Sequence, residues 1–330
     1  MDTPVLYIVF NRPSCVRKVL RKIKEAKPTE LFVAADGPRN AVPKDDENCE
    51  KVRDLVSTVD WKCHTEKLFR NENVGCAEAI GGAISWFFEN VDQGIIIEED
   101  CLPDTSFFKY SEFLLKKYRK NERIMHIAGT NLLPFPNAQH SYSFSRVVQV
   151  GASATWKRAW SCYDKTLCNW PTVKTRLDQD IYGRYTQRFF RAIEVAYSNP
   201  GRAYGPIWAY SCLANNGLSI VPKVNLIKNI GFGKGATHTK NKKDIQAKIK
   251  AMHLSLPLES PSIIEADKKY DEDYIDVIYS QNLRKRRNTS FHIKETLFKI
   301  KTKIEAIRLN KGQTEGAEIN RHRRMGGNHP

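Results

Sequence analysis

Three consecutive carboxylates, Glu98-Glu99-Asp100, follow the apolar triplet Ile95-Ile96-Ile97. Side by side they repel one another, which is costly unless a cation or hydrogen-bond donors neutralise them. A divalent cation held on a nucleotide diphosphate supplies that neutralisation. Mg²⁺ or Mn²⁺ binds through one or two carboxylates plus phosphate oxygens, which suits a short acidic motif. A solvated acidic turn is the plainer reading of a charge run. The place of this one, where a buried strand ends, favours the metal reading.

A second candidate is the glycine-rich stretch Ile230–Thr239 (IGFGKGATHT). Its glycines let main-chain N–H groups approach a phosphate. Lys234 adds a cation, and His238 an imidazole that could reach the metal or the diphosphate. The GxxxxGK[ST] spacing of a P-loop is missing. Further polar groups fall just after apolar runs: Asn11-Arg12, Asp36-Gly37 and Arg70.

Alternating elements must position these groups. Pro4–Phe10 (PVLYIVF) and Glu30–Ala35 (ELFVAA) are apolar on both faces and read as buried parallel strands. Lys62–Phe69 reads as a further strand and Gly94–Ile97 as a short one that stops at Glu98-Glu99-Asp100. Between them lie predicted helices over Cys15–Ala26, Asp46–Val56 and Ala77–Glu89. Strand and helix alternate over the first hundred residues, which predicts a right-handed parallel α/β sheet with ligands beyond the carboxyl ends of its strands. Beyond that, Phe107–Tyr118 reads as a helix, Met125–Ala128 as a strand and Ser141–Val150 as an alternating antiparallel strand. Trp156–Trp170 reads as helical around Ala159. Gln187–Tyr197 and Trp208–Asn215 read as helices, and Leu218–Val221 as a strand.

The chain has 330 residues and a net charge of +16. Residues 281–330 hold 13 Lys/Arg against 4 Asp/Glu, so the excess is concentrated in that tail. Within it, Arg284-Lys285-Arg286-Arg287 precedes Ile293, Leu297, Ile300, Ile304 and Ile307 at helical spacing. This predicts a basic amphipathic helix over 284–311, suited either to an anionic membrane surface or to packing on the domain. No signature of specific nucleic-acid binding is present. The eight cysteines form no CxxC pair and read as reduced thiols. With no signal peptide or membrane-length apolar run, the expected location is cytoplasmic, peripheral at the inner face of the membrane if the tail binds lipid.

Gly94–Phe108 (GIIIEEDCLPDTSFF) resembles the segment around the metal motif of GT-A glycosyltransferases, including N-acetylglucosaminyltransferase I. It is more similar to a family 2-like group of bacterial nucleotide-diphospho-sugar transferases. VFNRP (Val9–Pro13), ADGPR (Ala35–Arg39), RNENVGC (Arg70–Cys76), HIAGTN (His126–Asn131), ATWKRAW (Ala154–Trp160) and the stretch Asn216–Thr239 match in the same order. The resemblance implies a GT-A, Rossmann-like, mostly parallel sheet flanked by helices, with a C-terminal basic helical extension. It also implies transfer of a hexosyl or N-acetylhexosaminyl group from a nucleotide diphosphate sugar, UDP-linked, to a glycan or lipid-linked glycan in polysaccharide biosynthesis. In that reading Asp100 binds Mn²⁺ or Mg²⁺, assisted by His238, and Glu98 and Glu99 face the ribose and donor sugar. Asp36 accepts a hydrogen bond from the base. Asn11 and Arg12 line the nucleotide pocket, and Arg70 and Lys234 approach the diphosphate. The catalytic set is expected to be Asp100, Glu99, His238 and Asp180.

The chain departs from the family pattern at two points on the expected acceptor side. Val150-Gly151-Ala152 replaces the Trp-Gly-Trp expected before Ala154, and the other departure bears on the chemistry. Gly205, in Tyr204-Gly205-Pro206-Ile207-Trp208, stands where relatives carry an Asp that resembles the general base of inverting enzymes. Asp178, Asp180 or Glu194 could replace it, the reaction could retain configuration, or the chain could be an impaired nucleotide-binding scaffold. The expected organisation is a GT-A domain over 1–240 and an extension packing on it over 241–283. The basic helix over 284–311 and a disordered tail over 312–330 complete it. Nucleotidylyltransferases share the fold class but begin with a Gly-rich first loop, where this chain has Asn11-Arg12-Pro13-Ser14.

Overall fold

The computed structural model of the chain describes residues 1–133, 139–180, 186–199, 201, 203–232 and 245–277, without the side chains of 178–180, 186–189 and 245–246. Two compact units divide the chain, Met1–Ile275 and Asp276–Pro330. In the second, only residues 276 and 277 are described. Lys234, His238 and the predicted tail helix therefore lie outside the described residues, as does the side chain of Asp180.

The first unit runs β1 (Val5–Val9), α1 (Pro13–Ala26), β2 (Glu30–Ala35), α2 (Asp45–Ser57), β3 (His64–Phe69), α3 (Cys76–Asn90) and β4 (Gln93–Glu98). It continues through β5 (Cys101–Pro103), α4 (Ser106–Lys117), β6 (Ile124–Ala128), β7 (Tyr142–Ser145), β8 (Ala152–Trp156), α5 (Lys157–Trp160) and α6 (Trp170–Asp180). The remaining elements are α7 (Thr186–Ser198), α8 (Tyr204–Ala214), β9 (Leu218–Pro222), β10 (Ile227–Asn229) and α9 (Ile245–Lys248). Residues 268–275 are also helical.

Eight strands form one mixed, mostly parallel sheet in the order β3-β2-β1-β4-β8-β6-β9-β7. The first four are parallel, and β8 pairs antiparallel with both β4 and β6. A two-stranded ribbon joins β10 to β5. The sequence periodicity explains why both faces of the sheet are covered. Val5, Tyr7, Val9, Val33 and Ile97 pack on one side with Val16 and Val19 of α1, Val52 of α2 and Leu114 of α4. Leu6, Ile8, Phe32, Ala34 and Ile96 pack on the other with Ile84 and Phe87 of α3 and Trp208 of α8. Successive strand residues point to opposite faces, so a strand buried on both sides must be apolar throughout.

Two expectations are corrected. The strand over Ser141–Val150 ends at Ser145. There Asp271 takes hydrogen bonds from the Ser145 hydroxyl and, at 3.0 Å, from the Arg146 amide, which draws the backbone out of the ladder. The helix over Trp156–Trp170 shrinks to the single turn of α5, because Ala152–Trp156 is a buried central strand. Its small side chains let β8 sit between β4 and β6, where Ala154 pairs with both Ile95 and Ile127. Among the described residues, no helix is long and apolar enough to cross a membrane.

Candidate functional site

Strand register builds the site. Val9 pairs with Ala35, Ala35 with Phe69, and Ile8 with Glu98. The residues that follow these four strand ends therefore emerge along one edge. Arg12, Asp36, Arg70, Glu98, Glu99 and Asp100 all line one cavity of about 510 Å³. Its far wall comes from the β6 and β8 side and the C-terminal segment, through Leu132, Val148, Val150, Ile249 and Tyr274.

The acidic triplet has a cationic partner inside the chain. The Arg12 Nε donates to Glu99 Oε1, and its Nη1 donates to Asp100 Oδ2 at 3.0 Å. Glu99, only 4% exposed, also accepts from the Phe10 amide at 2.9 Å and the Arg12 amide at 3.4 Å. Burial works against the Arg12 charge, but Glu99 and Asp100 outweigh it and raise the guanidinium above its ordinary value. Gly231 covers this pair: a Cβ there would fall inside contact with both Asp100 Oδ2 and Arg12 Nη1. The Ile230 amide donates to the Asp100 carbonyl at 2.8 Å and holds that cover in place.

Glu98 is bound differently. Its Oε1 accepts from the Tyr204 hydroxyl at 2.8 Å, and its amide donates to the Gly151 carbonyl at 2.8 Å. Burial, with the Asp100 charge beside it, pushes the Glu98 carboxyl up to about 7 against the pull of Tyr204 and Arg12. Helix α8 also fixes the wall opposite. Trp208 Nε1 donates to His126 Nδ1 at 3.2 Å, which leaves the proton on Nε2, 2.9 Å from the Gln149 carbonyl. Burial lowers His126 to about 4, so the ring is neutral.

Asp36 is 7% exposed. Its Oδ1 accepts from the Gly37 amide at 3.0 Å and the Val74 amide at 3.1 Å, and its Oδ2 from Asn73 Nδ2 at 2.9 Å. Burial pushes its carboxyl up from the ordinary value, opposed by the Val74 and Gly37 amides and the Arg70 charge. Arg70 lies along α3, with Nη1 3.4 Å from the Ala79 carbonyl. Asn11 is turned to α2: its Nδ2 donates to Asp45 Oδ1 at 2.6 Å, and it is absent from the cavity wall. Asp45 in turn holds Arg39, which does line the cavity.

Gly205 sits in the first turn of α8, and a Cβ there would lie 2.9 Å from Val150 Cγ2. An apolar side chain thus fills the space a carboxylate at 205 would enter. Glu194 pairs with Lys174 at 2.6 Å between α7 and α6, away from the cavity wall. Among the described residues, no three His, Cys, Asp or Glu side chains converge as a metal cage. Asp100 keeps one edge open to a cation, because among the described residues Oδ1 meets only the Cys101 thiol at 3.6 Å. Among the described residues of the cavity wall, Arg12, Arg39 and Arg70 stand with Asp36, Glu98, Glu99 and Asp100, so these show no cationic surplus. One carboxylate edge in an acidic surround fits a hard cation that completes its shell with water and ligand phosphates.

Arg39, Asp45, Asn73 and Tyr204 are functional candidates that sequence reasoning did not single out. Arg39 closes the ADGPR motif, and Tyr204 adjoins Gly205, so position beside a motif was the available signal.

No family model matches the chain, and no curated protein matches it. Among solved structures, the apo form of mouse xyloside xylosyltransferase 1 is similar over 64% of this chain and 81% of that one, at 10% identity and a TM-score of 0.34. An active-site mutant of LgtC is similar over 66% and 86%, at 12% identity and 0.34. An apo UDP-glucose pyrophosphorylase is similar over 68% and 90%, at 10% identity and 0.34. Likeness at these scores assigns no activity, substrate or cofactor to this chain.

Proposed function

We propose that the chain is a glycosyltransferase that moves a sugar from a nucleoside diphosphate sugar, UDP-linked, to a glycan or lipid-linked glycan hydroxyl. One observation carries the reading: groups from the carboxyl ends of four adjacent parallel strands line a single cavity, with an acid triplet on its wall. In open α/β sheets ligands bind at that edge.

In this reading Asp36 accepts a hydrogen bond from the nucleobase, and Arg70 reaches the diphosphate as an always-charged planar donor. Asp100 would hold Mn²⁺ or Mg²⁺ on its open edge, and the cation, when bound, neutralises charge on the leaving diphosphate. Arg12 keeps Glu99 and Asp100 from repelling each other and orients both carboxylates. Tyr204 does the same for Glu98. Lys234 and His238 belong to the same reading as further diphosphate and metal contacts. Asp180 remains the candidate base from the sequence.

The second reading is an impaired transferase-like scaffold that still binds nucleotide. Gly205 favours it, because no carboxylate enters the cavity from the first turn of α8 and Val150 Cγ2 stands 2.9 Å from where a Cβ at 205 would lie. Release of UDP from a panel of UDP-sugars with Mn²⁺, with and without glycan acceptors, separates the two. Turnover above the no-enzyme rate supports the enzyme. Tight UDP binding without turnover of any donor supports the scaffold.

A further inference from the structure

Arg39, like Arg12 and unlike Arg70, has its charge compensated by a carboxylate of the chain. Asp45, 2% exposed, accepts from Arg39 Nε at 2.6 Å, Nη2 at 2.9 Å and the Arg39 amide at 3.2 Å. Asn11 Nδ2 donates to the same carboxylate at 2.6 Å. The guanidinium also lies over the Phe10 ring, 5.3 Å from its centroid. The forked ion pair and the ring together fix the guanidinium plane at the cavity wall. Nη1 has no hydrogen-bond partner among the described residues, so its two N–H groups are free for a ligand.

Charge decides what kind of ligand group that is. Arg70 forms no ion pair among the described residues and acts on Asp36 only at longer range, so its charge is the least compensated of the three and suits an anion. A phosphate beside Arg39 would instead meet the Asp45 carboxylate just behind it, and the two charges nearly cancel at that distance. A compensated guanidinium is suited to a neutral acceptor such as a carbonyl or hydroxyl oxygen. Arg39 also follows Asp36 by three residues in the loop after β2, and both line the cavity.

We propose that Arg39 is a specificity residue for the nucleoside half of the donor, giving its Nη1 hydrogens to a neutral oxygen of the base or ribose. Asn11 and Asp45 are its positioning residues, and the diphosphate is left to Arg70. The inference rests on the nucleotide-site reading above.

The test is isothermal titration of the full chain with uridine, UDP and inorganic pyrophosphate in the presence of Mn²⁺. Arg39→Ala is expected to weaken uridine and UDP by the same factor, about tenfold for a lost hydrogen bond, and to leave pyrophosphate within about twofold. Arg39→Lys is expected to recover little, because an ammonium cannot fork to Asp45 and still present an oriented donor. Asp45→Asn, checked for folding by circular dichroism, is expected to weaken uridine and strengthen pyrophosphate, since it leaves the guanidinium uncompensated. Equal losses for pyrophosphate and UDP in Arg39→Ala would make Arg39 a phosphate ligand and overturn the proposal. Unchanged uridine and UDP binding would overturn it too. A wild type that binds none of the three removes the nucleotide reading itself, a result distinct from either.

Discussion

Arg12 from the loop after β1 and Asp100 from the loop after β4 are joined by an Nη1–Oδ2 contact of 3.0 Å. The same guanidinium bonds Glu99, so one side chain neutralises two of the three neighbouring carboxylates. The acid triplet is thus folded around an internal cation, with Gly231 laid over the pair.

Arg12→Ala leaves Glu99 buried without its counter-charge. Removing one partner of a buried ion pair costs about 3 kcal/mol or more. Urea unfolding of the metal-free protein is expected to show a loss of that size. Added Mn²⁺ is expected to restore more stability to the variant than it adds to the wild type, because Asp100 is then freed from its competitor.

Gly231→Ala tests the cover. Its Cβ would overlap Asp100 Oδ2 and Arg12 Nη1, so the 230–231 backbone must lift or the pair must part. Overpacking of this kind costs about 1–3 kcal/mol. Thermal unfolding is expected to fall accordingly, and UDP affinity measured with Mn²⁺ is expected to drop by about tenfold or more.

Gly205→Asp alone is expected to destabilise the fold by about 1–3 kcal/mol through its contact with Val150. Adding Val150→Ala opens the space and is expected to recover at least half of that loss. Chemical denaturation of the two variants checks whether Val150 occupies the place of the carboxylate expected there.

The pH dependence of stability tests the neutral His126 bridge. An unfolded histidine takes up its proton near 6.5, the folded one only near about 4. Its contribution is therefore intact above the unfolded value, falls as pH drops between the two, and levels off below. The fall amounts to about 3 kcal/mol at most. Stability measured from pH 8 to 4 is expected to decline more steeply in the wild type than in His126→Gln.

The parallel half of the fold was legible because three of its four strands, β1, β2 and β4, are buried on both faces, and uninterrupted runs such as Pro4–Phe10 have few alternatives. Strand β8 was not, because Ala152–Trp156 is short, rich in small residues and runs into a helical turn. The end of β7 was hidden for another reason: Asp271, which stops it, lies 126 residues further on. The site divides the same way. Glu98–Asp100, Asp36 and Arg70 stand at strand ends and could be found from pattern. The roles of Arg39 and Tyr204 arise from partners that only folding brings near, Asp45 behind a turn and Glu98 across 106 residues. Asn11 follows β1 beside Arg12, but its side chain bonds Asp45 behind Arg39 and does not line the cavity.

The central claim is that the strand-end cavity binds a nucleoside diphosphate sugar with a divalent cation at Asp100. It is tested most directly by thermal unfolding with a panel of nucleotide sugars, with and without Mn²⁺, in the wild type and Asp100→Ala. Binding to the folded state at a hundred times the dissociation constant adds about 2.7 kcal/mol. A UDP-sugar is expected to raise the wild-type midpoint by several degrees only when Mn²⁺ is present, and Asp100→Ala is expected to lose that rise. A wild type that no nucleotide sugar stabilises, or an Asp100→Ala variant stabilised as fully as the wild type, would contradict it.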